Sequence, residues 1–208
     1  MLNCELLQLN PDMIQPIDNR LINYFLKITN LTTDEIQVLT ESMMVKNFKK
    51  GDYLVKEGQL HHDSYFLLEG LVREFKLVEG YDISTAFYTE EQWIISLDGF
   101  EGKKPSKYNL ICVENTTLVV GNEQKARELF RQFPHFETVS RQVMETVFEE
   151  RQHQVTSYIT QNPEQRYLNL LKNRPDIFQR VPQYDIATYI GVKPESLSRI
   201  RRKLYRKG

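Results

Sequence analysis

Near the C-terminal end of this 208-residue chain, Glu195, Ser196, Ser198, Arg199, Arg202 and Lys203 gather side chains suited to contact with a nucleic acid. A carboxylate accepts from cytosine N4, a guanidinium can grip guanine O6 and N7 with two hydrogen bonds, and hydroxyl and ammonium groups meet phosphate oxygens. Glu195 and Arg199 also stand four residues apart, the spacing of an ordinary ion pair on a helix surface, worth roughly 0.2–0.5 kcal/mol. From Lys193 to Gly208, seven Lys and Arg residues face Glu195 alone; residues 162–208 carry a net +7 while the chain as a whole carries -1. So compact a basic segment fits either a polyanionic partner or a solvated terminal helix.

The elements that must position these groups are legible in Gln183 to Lys203, QYDIATYIGVKPESLSRIRRK. Ile186, Ala187 and Ile190 make one apolar face. Ala187 is small enough for a close helix crossing, Gly191 permits a left-handed turn, and Val192 fills the angle. A second helix then starts near Pro194 and docks through Leu197 and Ile200. The pattern is that of a helix-turn-helix. Upstream, Asn162-Pro163 sets a cap before a proline at the first helical position, opening a helix through Tyr167, Leu168 and Leu171 that Arg174-Pro175-Asp176 ends.

Composition bounds the rest: hydrophobic residues are 40%, charged residues 26%, Gly 9 and Pro 8, which excludes collagen-like, low-complexity and globally disordered classes. No apolar run reaches the length of a membrane span, and the N-terminus lacks signal-peptide features, so a cytoplasmic location is expected. Cys4 and Cys112 are too few for a disulfide scaffold, a four-cysteine zinc site or an all-cysteine iron-sulfur cluster. His61-His62-Asp63 reads as a turn rather than a metal site, because adjacent strand residues point oppositely.

Residues 1–15 read as a lead-in. Ile17, Leu21, Ile22, Phe25 and Leu26 then recur at helical spacing, and Thr32-x-x-Glu35 is a capping box ahead of Ile36 and Leu39. From Phe48 to Gly121 the period shortens to β-rich runs at Tyr53 to Val55, Tyr65 to Leu68, Val72 to Val78, Ile83 to Tyr88, Asn109 to Val113 and Thr116 to Val120. Such runs imply an antiparallel barrel, roll or sandwich. His135 to Thr160 predicts one helix about 39 Å long. Its apolar stripe, Phe136, Val139, Val143, Val147, Val155, Tyr158 and Ile159, fits pairing across a dimer axis or packing on the chain's own β-domain. The expected organisation is residues 1–133, 134–161 and 162–208.

With these residues in hand, the chain resembles the Crp/Fnr family of bacterial transcription regulators. The family's β-roll signature is echoed by Lys50-Gly51-Asp52, Glu57-Gly58 and Phe66 to Arg73; its DNA-reading signature matches Ile186, Ala187, Gly191, Glu195, Ser196, Leu197, Ser198 and Arg199. The resemblance implies an α+β fold: an N-terminal antiparallel β-roll of the cyclic-nucleotide-binding kind with flanking helices, a long dimerisation helix and a C-terminal winged helix-turn-helix. It also implies a homodimer on double-stranded DNA with a near-palindromic site, and RNA polymerase as a further partner. Glu195 and Arg199 become the base readers; Lys193, Ser196, Ser198, Arg202 and Lys203 hold the helix against the DNA, chiefly through phosphates. Two departures matter. Pro194 stands where many relatives place another base-reading arginine, and too few residues follow the recognition helix for a full β-wing, so fewer backbone contacts are expected.

Relatives that bind cyclic AMP hold its phosphate with a Gly-Glu pair and an Arg-Ser pair. Here Ile95-Ser96 replaces the first, and Lys104-Pro105-Ser106-Lys107 carries no arginine. Arg151-Gln152 falls where those relatives place an adenine-contacting hydroxyl pair. Control by cyclic AMP is therefore not expected and no cofactor is assigned. Ser96, Lys104, Ser106, Lys107 and Arg151 are the candidates for an unknown anionic effector, against a reading of them as a solvated loop and an interhelical charge. A rival reading is a ligand-sensing or protein-interaction module whose basic helix binds an acidic partner. An enzyme of nucleotide or phosphate chemistry lacks paired carboxylates, a nucleophile-base spacing or a phosphate-binding glycine loop.

Overall fold

The apolar run Tyr65-Phe66-Leu67-Leu68 does not alternate, which requires a strand buried on both faces. In a computed structural model, which describes residues 19–61, 63–95 and 104–205, all four side chains are at most 5% exposed. They lie in β3 (Asp63–Glu69), inside an antiparallel sheet ordered β1 (Val45–Phe48), β8 (Thr116–Asn122), β3, β6 (Trp93–Ile94). A second sheet, β2 (Tyr53–Val55), β7 (Asn109–Cys112), β4 (Val72–Val78), β5 (Tyr81–Tyr88), supplies the other half of the roll. Tyr65, Leu67, Val72, Leu110 and Leu118 belong to one buried cluster of the roll. Phe66, Leu68 and Val119 turn the other way, onto Leu21 and Phe25 of α1 (Asn19–Leu26).

Local signals account for most boundaries. Thr32 caps α2 (Thr33–Ser42) with the complete capping box. Glu79 (φ 52°) and Gly80 (φ 83°) both take positive φ between Val78 and Tyr81, the two-residue turn whose twist matches antiparallel strands. Strands β1 and β6 were not anticipated: β1 has no apolar alternation and three exposed residues, and β6 is two residues long. Both are held by their neighbours in the sheet rather than by their own pattern.

After α3 (Glu123–Gln132), the long helix α4 runs Phe136–Thr160. Its stripe divides, and this corrects the expected dimer face. Phe136, Val139 and Val143 are 2–5% exposed, and the first two share a cluster with Ile22, Leu31 and Leu39 of the N-terminal segment, so the chain's own helices already cover them. Val147 is half-buried, whereas Phe148, Val155, Tyr158 and Ile159 stay 53–75% exposed.

Asn162 caps α5 (Pro163–Asn173) with a capping box closed by Gln165. A one-turn helix, α6 (Ile177–Arg180), follows where a simple break was expected, then α7 (Gln183–Ile190) and α8 (Pro194–Tyr205). The helical unit does not stand clear of the roll: Leu71 and Phe87 join Tyr167, Leu170, Ile177, Ile186, Ile190 and Leu197 in one buried cluster. Among the described residues no helix is long and apolar enough to cross a membrane.

Candidate functional site

Gly191 makes the turn between α7 and α8. At φ 80° it caps α7 in the left-handed conformation, and a Cβ there would lie 2.7 Å from the Tyr158 hydroxyl of α4. Val192 N–H donates back to the Ala187 carbonyl at 2.9 Å, while Ala187 and Leu197 are 0% and 2% exposed, the close crossing that the spacing predicted. Ile200 and Leu204 complete the docked face of α8.

At about 100° per residue, Glu195, Ser198, Arg199 and Arg202 fall opposite Leu197, Ile200 and Leu204, with Ser196 and Lys203 on one flank. Lys193, Glu195, Ser198, Arg199 and Arg202 are exposed, and Ser196 is half-buried. Arg199 does not pair with Glu195 among the described residues. Its Nη2 donates to Ser196 Oγ at 3.2 Å and its Nε to the Glu195 main-chain oxygen at 3.5 Å, so the Glu195 carboxylate still faces solvent. The Ser198 hydroxyl donates to the Pro194 carbonyl at 3.2 Å. Lys203 Nζ is 2.5 Å from Glu164 Oε2 on α5, an exposed pair that phosphate can displace cheaply. Arg201 is exposed on the opposite flank and was absent from the expected set, although its charge was plain in the sequence.

Four buried or half-buried arginines fasten this unit to the roll and its long helix. Arg73 of β4 bonds Asp82 at 2.5 Å and, across the domain contact, Asp185 of α7. Beside it, Ser84 N–H donates to Thr188 Oγ1 at 3.2 Å. Arg180 pairs with Glu90 at 2.8 Å and Glu114 at 2.5 Å while donating to the Gly70 carbonyl at 2.8 Å. Burial alone would raise the Glu90 carboxyl, but the bond from Arg180 and backbone N–H donors hold it below its usual value. Arg166 ties helix ends together, donating to the carbonyls of Ile190, Tyr158 and Gln161. Arg174 bonds the Phe87 carbonyl and Thr89 Oγ1.

The five expected effector residues do not converge as a set. Ser96 lies outside the described residues. Ser106 is 4% exposed, and its hydroxyl is spent locally, donating to the Tyr108 carbonyl at 2.8 Å and accepting from Tyr108 N–H at 3.2 Å. Lys104 and Lys107 are exposed. Arg151 is committed: Nη2 lies 2.6 Å and Nη1 3.3 Å from the carboxylate of Glu74, which is 6% exposed and also accepts from Thr85 Oγ1 at 2.7 Å and the Tyr88 hydroxyl at 3.1 Å. Burial first, and Glu74 second, push the Tyr88 hydroxyl well above its usual pKa, so it stays a donor. Arg151 is therefore held by a strand of the roll, an arrangement that neither reading of it anticipated. The signal missed was Arg73-Glu74, two adjacent charges between the apolar Val72 and Phe75.

A cavity of about 1040 Å³ opens beside this cluster, between β5, the C-terminal half of α4, α5 and α7. A second, of about 410 Å³ and mainly apolar, lies under α1–α3 against β8 and the start of α4.

Against known proteins, the family model described as the cyclic nucleotide-binding domain matches residues 45–133. No curated protein matches the chain. Among solved structures, FixK2 from Bradyrhizobium japonicum superposes with a TM-score of 0.65 at 15% identity, covering 80% of this chain and 86% of that one. The c-di-GMP-responsive global regulator CLP of Xanthomonas campestris gives 0.65 at 14%, covering 85% and 93%. A Crp/Fnr-family transcriptional regulator from Thermus thermophilus gives 0.61 at 18%, covering 79% and 87%.

Proposed function

We propose, from the premise that this chain carries a cyclic nucleotide-binding domain at residues 45–133 and has the fold of the Crp/Fnr transcription regulators, that it is a sequence-specific DNA-binding regulator acting as a homodimer. The observation that carries the reading is the outer face of α8. Its apolar side is docked, its opposite side presents Glu195, Arg199 and Arg202 to solvent, and neither base-reading candidate is consumed by the other.

Phe148, Val155 and Ile159 are spaced by seven and four residues on the exposed half of α4, the seam of a two-stranded coiled coil, and supply the dimer contact. Paired α8 helices then enter successive major grooves, half-sites about one helical turn apart. RNA polymerase is a further partner in this reading. Cyclic AMP is not the effector, because Glu74 already neutralises Arg151 and Ser106 serves its own loop.

Selection from a random duplex pool at near-physiological salt tests the reading: a two-fold-symmetric site should emerge, bound at least about three orders of magnitude above non-specific DNA. Arg199→Ala should relax preference at one position per half-site, costing about 1–3 kcal/mol there, whereas Lys203→Ala should weaken all sequences alike and lower the salt slope by about one. No enrichment, with both variants binding as wild type, would instead place an acidic protein on the basic helix.

A further inference from the structure

Arg174 is a half-buried cation that meets no anion among the described residues. It closes α5 and reaches the roll, where Nη1 donates to the Phe87 carbonyl at 2.7 Å and Nη2 to Thr89 Oγ1 at 3.0 Å, both neutral acceptors. Among the described residues it forms no ion pair. Its neighbours are treated otherwise: Arg73, Arg151 and Arg180 each meet a carboxylate, and Arg166 rests on carbonyls at the C-terminal ends of α4 and α7, where the helix dipoles supply partial negative charge. A guanidinium carries five N–H donors, so two bonds leave three unspent. Burial pushes the Arg174 pKa down, opposed only from a distance by Asp176, Tyr189 and Glu150.

Arg174 lines the cavity of about 1040 Å³ together with Tyr189, Asn169 and Asn173. Tyr189, which is half-buried, and Tyr158, which is exposed, both line the same cavity and give it aromatic walls. A cation with spare donors, polar neighbours able to donate and flat apolar walls select one ligand class. We propose that this cavity binds an aromatic organic anion, a carboxylate, phosphate or sulfonate on a planar body, whose charge Arg174 neutralises. Such a ligand would touch the long helix, the roll and the helix-turn-helix unit at once. The inference does not need the DNA reading, since binding is measured on the chain alone.

The probe is 1-anilinonaphthalene-8-sulfonate, titrated by fluorescence into the full chain beside N-phenyl-1-naphthylamine, the same rings without the charge. The sulfonate should saturate one Arg174-dependent site per chain. Arg174→Gln should weaken it about tenfold or more while leaving the uncharged amine within about twofold. Glu150→Gln, an exposed change on the cavity rim that removes a competing negative charge, should tighten the sulfonate about two- to fivefold. If Arg174→Gln weakens both ligands alike, the packing has loosened and Glu150→Gln decides: an unchanged sulfonate affinity there overturns the proposal. Sulfonate binding equal to wild type in both variants overturns it outright.

Discussion

Replacing Arg151 by Met isolates the buried carboxylate of Glu74. In the native chain that carboxylate receives two bonds from Arg151 and one each from Thr85 and Tyr88. Breaking a fully buried pair from one side costs about 3–5 kcal/mol, because the remaining charge stays desolvated. Here the Arg151 side chain is 33% exposed against 8% for Glu74, so part of its field is already screened. Two hydroxyl donors also survive the substitution. The expected loss is therefore about 2–3 kcal/mol, which at a urea m-value of about 2.5 kcal/mol/M lowers the midpoint by about 1 M. Adding Glu74→Gln removes the second charge while keeping an acceptor for Thr85 and Tyr88, and the double variant should recover to within about 1 kcal/mol of wild type. The assay is urea unfolding by circular dichroism at one fixed protein concentration, since a dimer's midpoint depends on it. A midpoint shift under about 0.3 M for Arg151→Met, or a double variant no more stable than the single, would refute the reasoning.

Gly191→Ala forces a side chain into φ 80° against the Tyr158 hydroxyl and should cost roughly 1–2 kcal/mol, a melting point about 2–8 °C lower, and an unchanged melting point sinks it. Val155→Glu with Ile159→Glu should convert the chain to monomers in sedimentation equilibrium without loss of helicity, whereas Val139→Glu should unfold the N-terminal half instead. In a Cys4→Ser background, Cys112, 1% exposed and pushed up to about 11 by burial, should resist an aromatic disulfide reagent at pH 8 until denaturant is added; because its folded pKa lies above the ordinary thiol value, stability from this group is held at neutral pH and lost only as pH rises beyond about 9.

What could be read in advance was local. The capping box at Thr32, the cap at Asn162, the left-handed Gly191 and the docked Leu197 each depend on residues within about a turn of one another, so spacing alone determines them. The exposed face of α8 follows, because fixing which residues are buried fixes which are not. The division of the α4 stripe was not legible. Phe136 and Val155 look alike in sequence, and only the placement of α1 and α2 decides that one is covered and the other is left for a partner. The partners of the buried arginines were hidden for a related reason: Arg151 finds Glu74 from 77 residues away and Arg73 finds Asp185 from 112, distances over which periodicity carries no information.

Those remote pairs have an energetic consequence. The contact between the roll and the helix-turn-helix unit is partly apolar, through Leu71, Phe87 and Ile186; beside the Ser84–Thr188 bond, its polar share is arginine against carboxylates and neutral oxygens: Arg73 to Asp185, Arg180 to Glu90 and Glu114, Arg174 to Phe87 and Thr89. An ion pair exchanges hydration for mutual attraction at little net gain, so these bonds fix the angle of docking more than its strength. An interface built from apolar side chains alone would resist separation in proportion to its area, whereas here each arginine and its partners can return to water at modest cost. Arg174 is the exception, since undocking gives it hydration and docking gives it only neutral acceptors. Among the three arginines of this contact it is the one whose docked state an added negative charge would strengthen, and it lines the cavity between the roll and the helix-turn-helix unit.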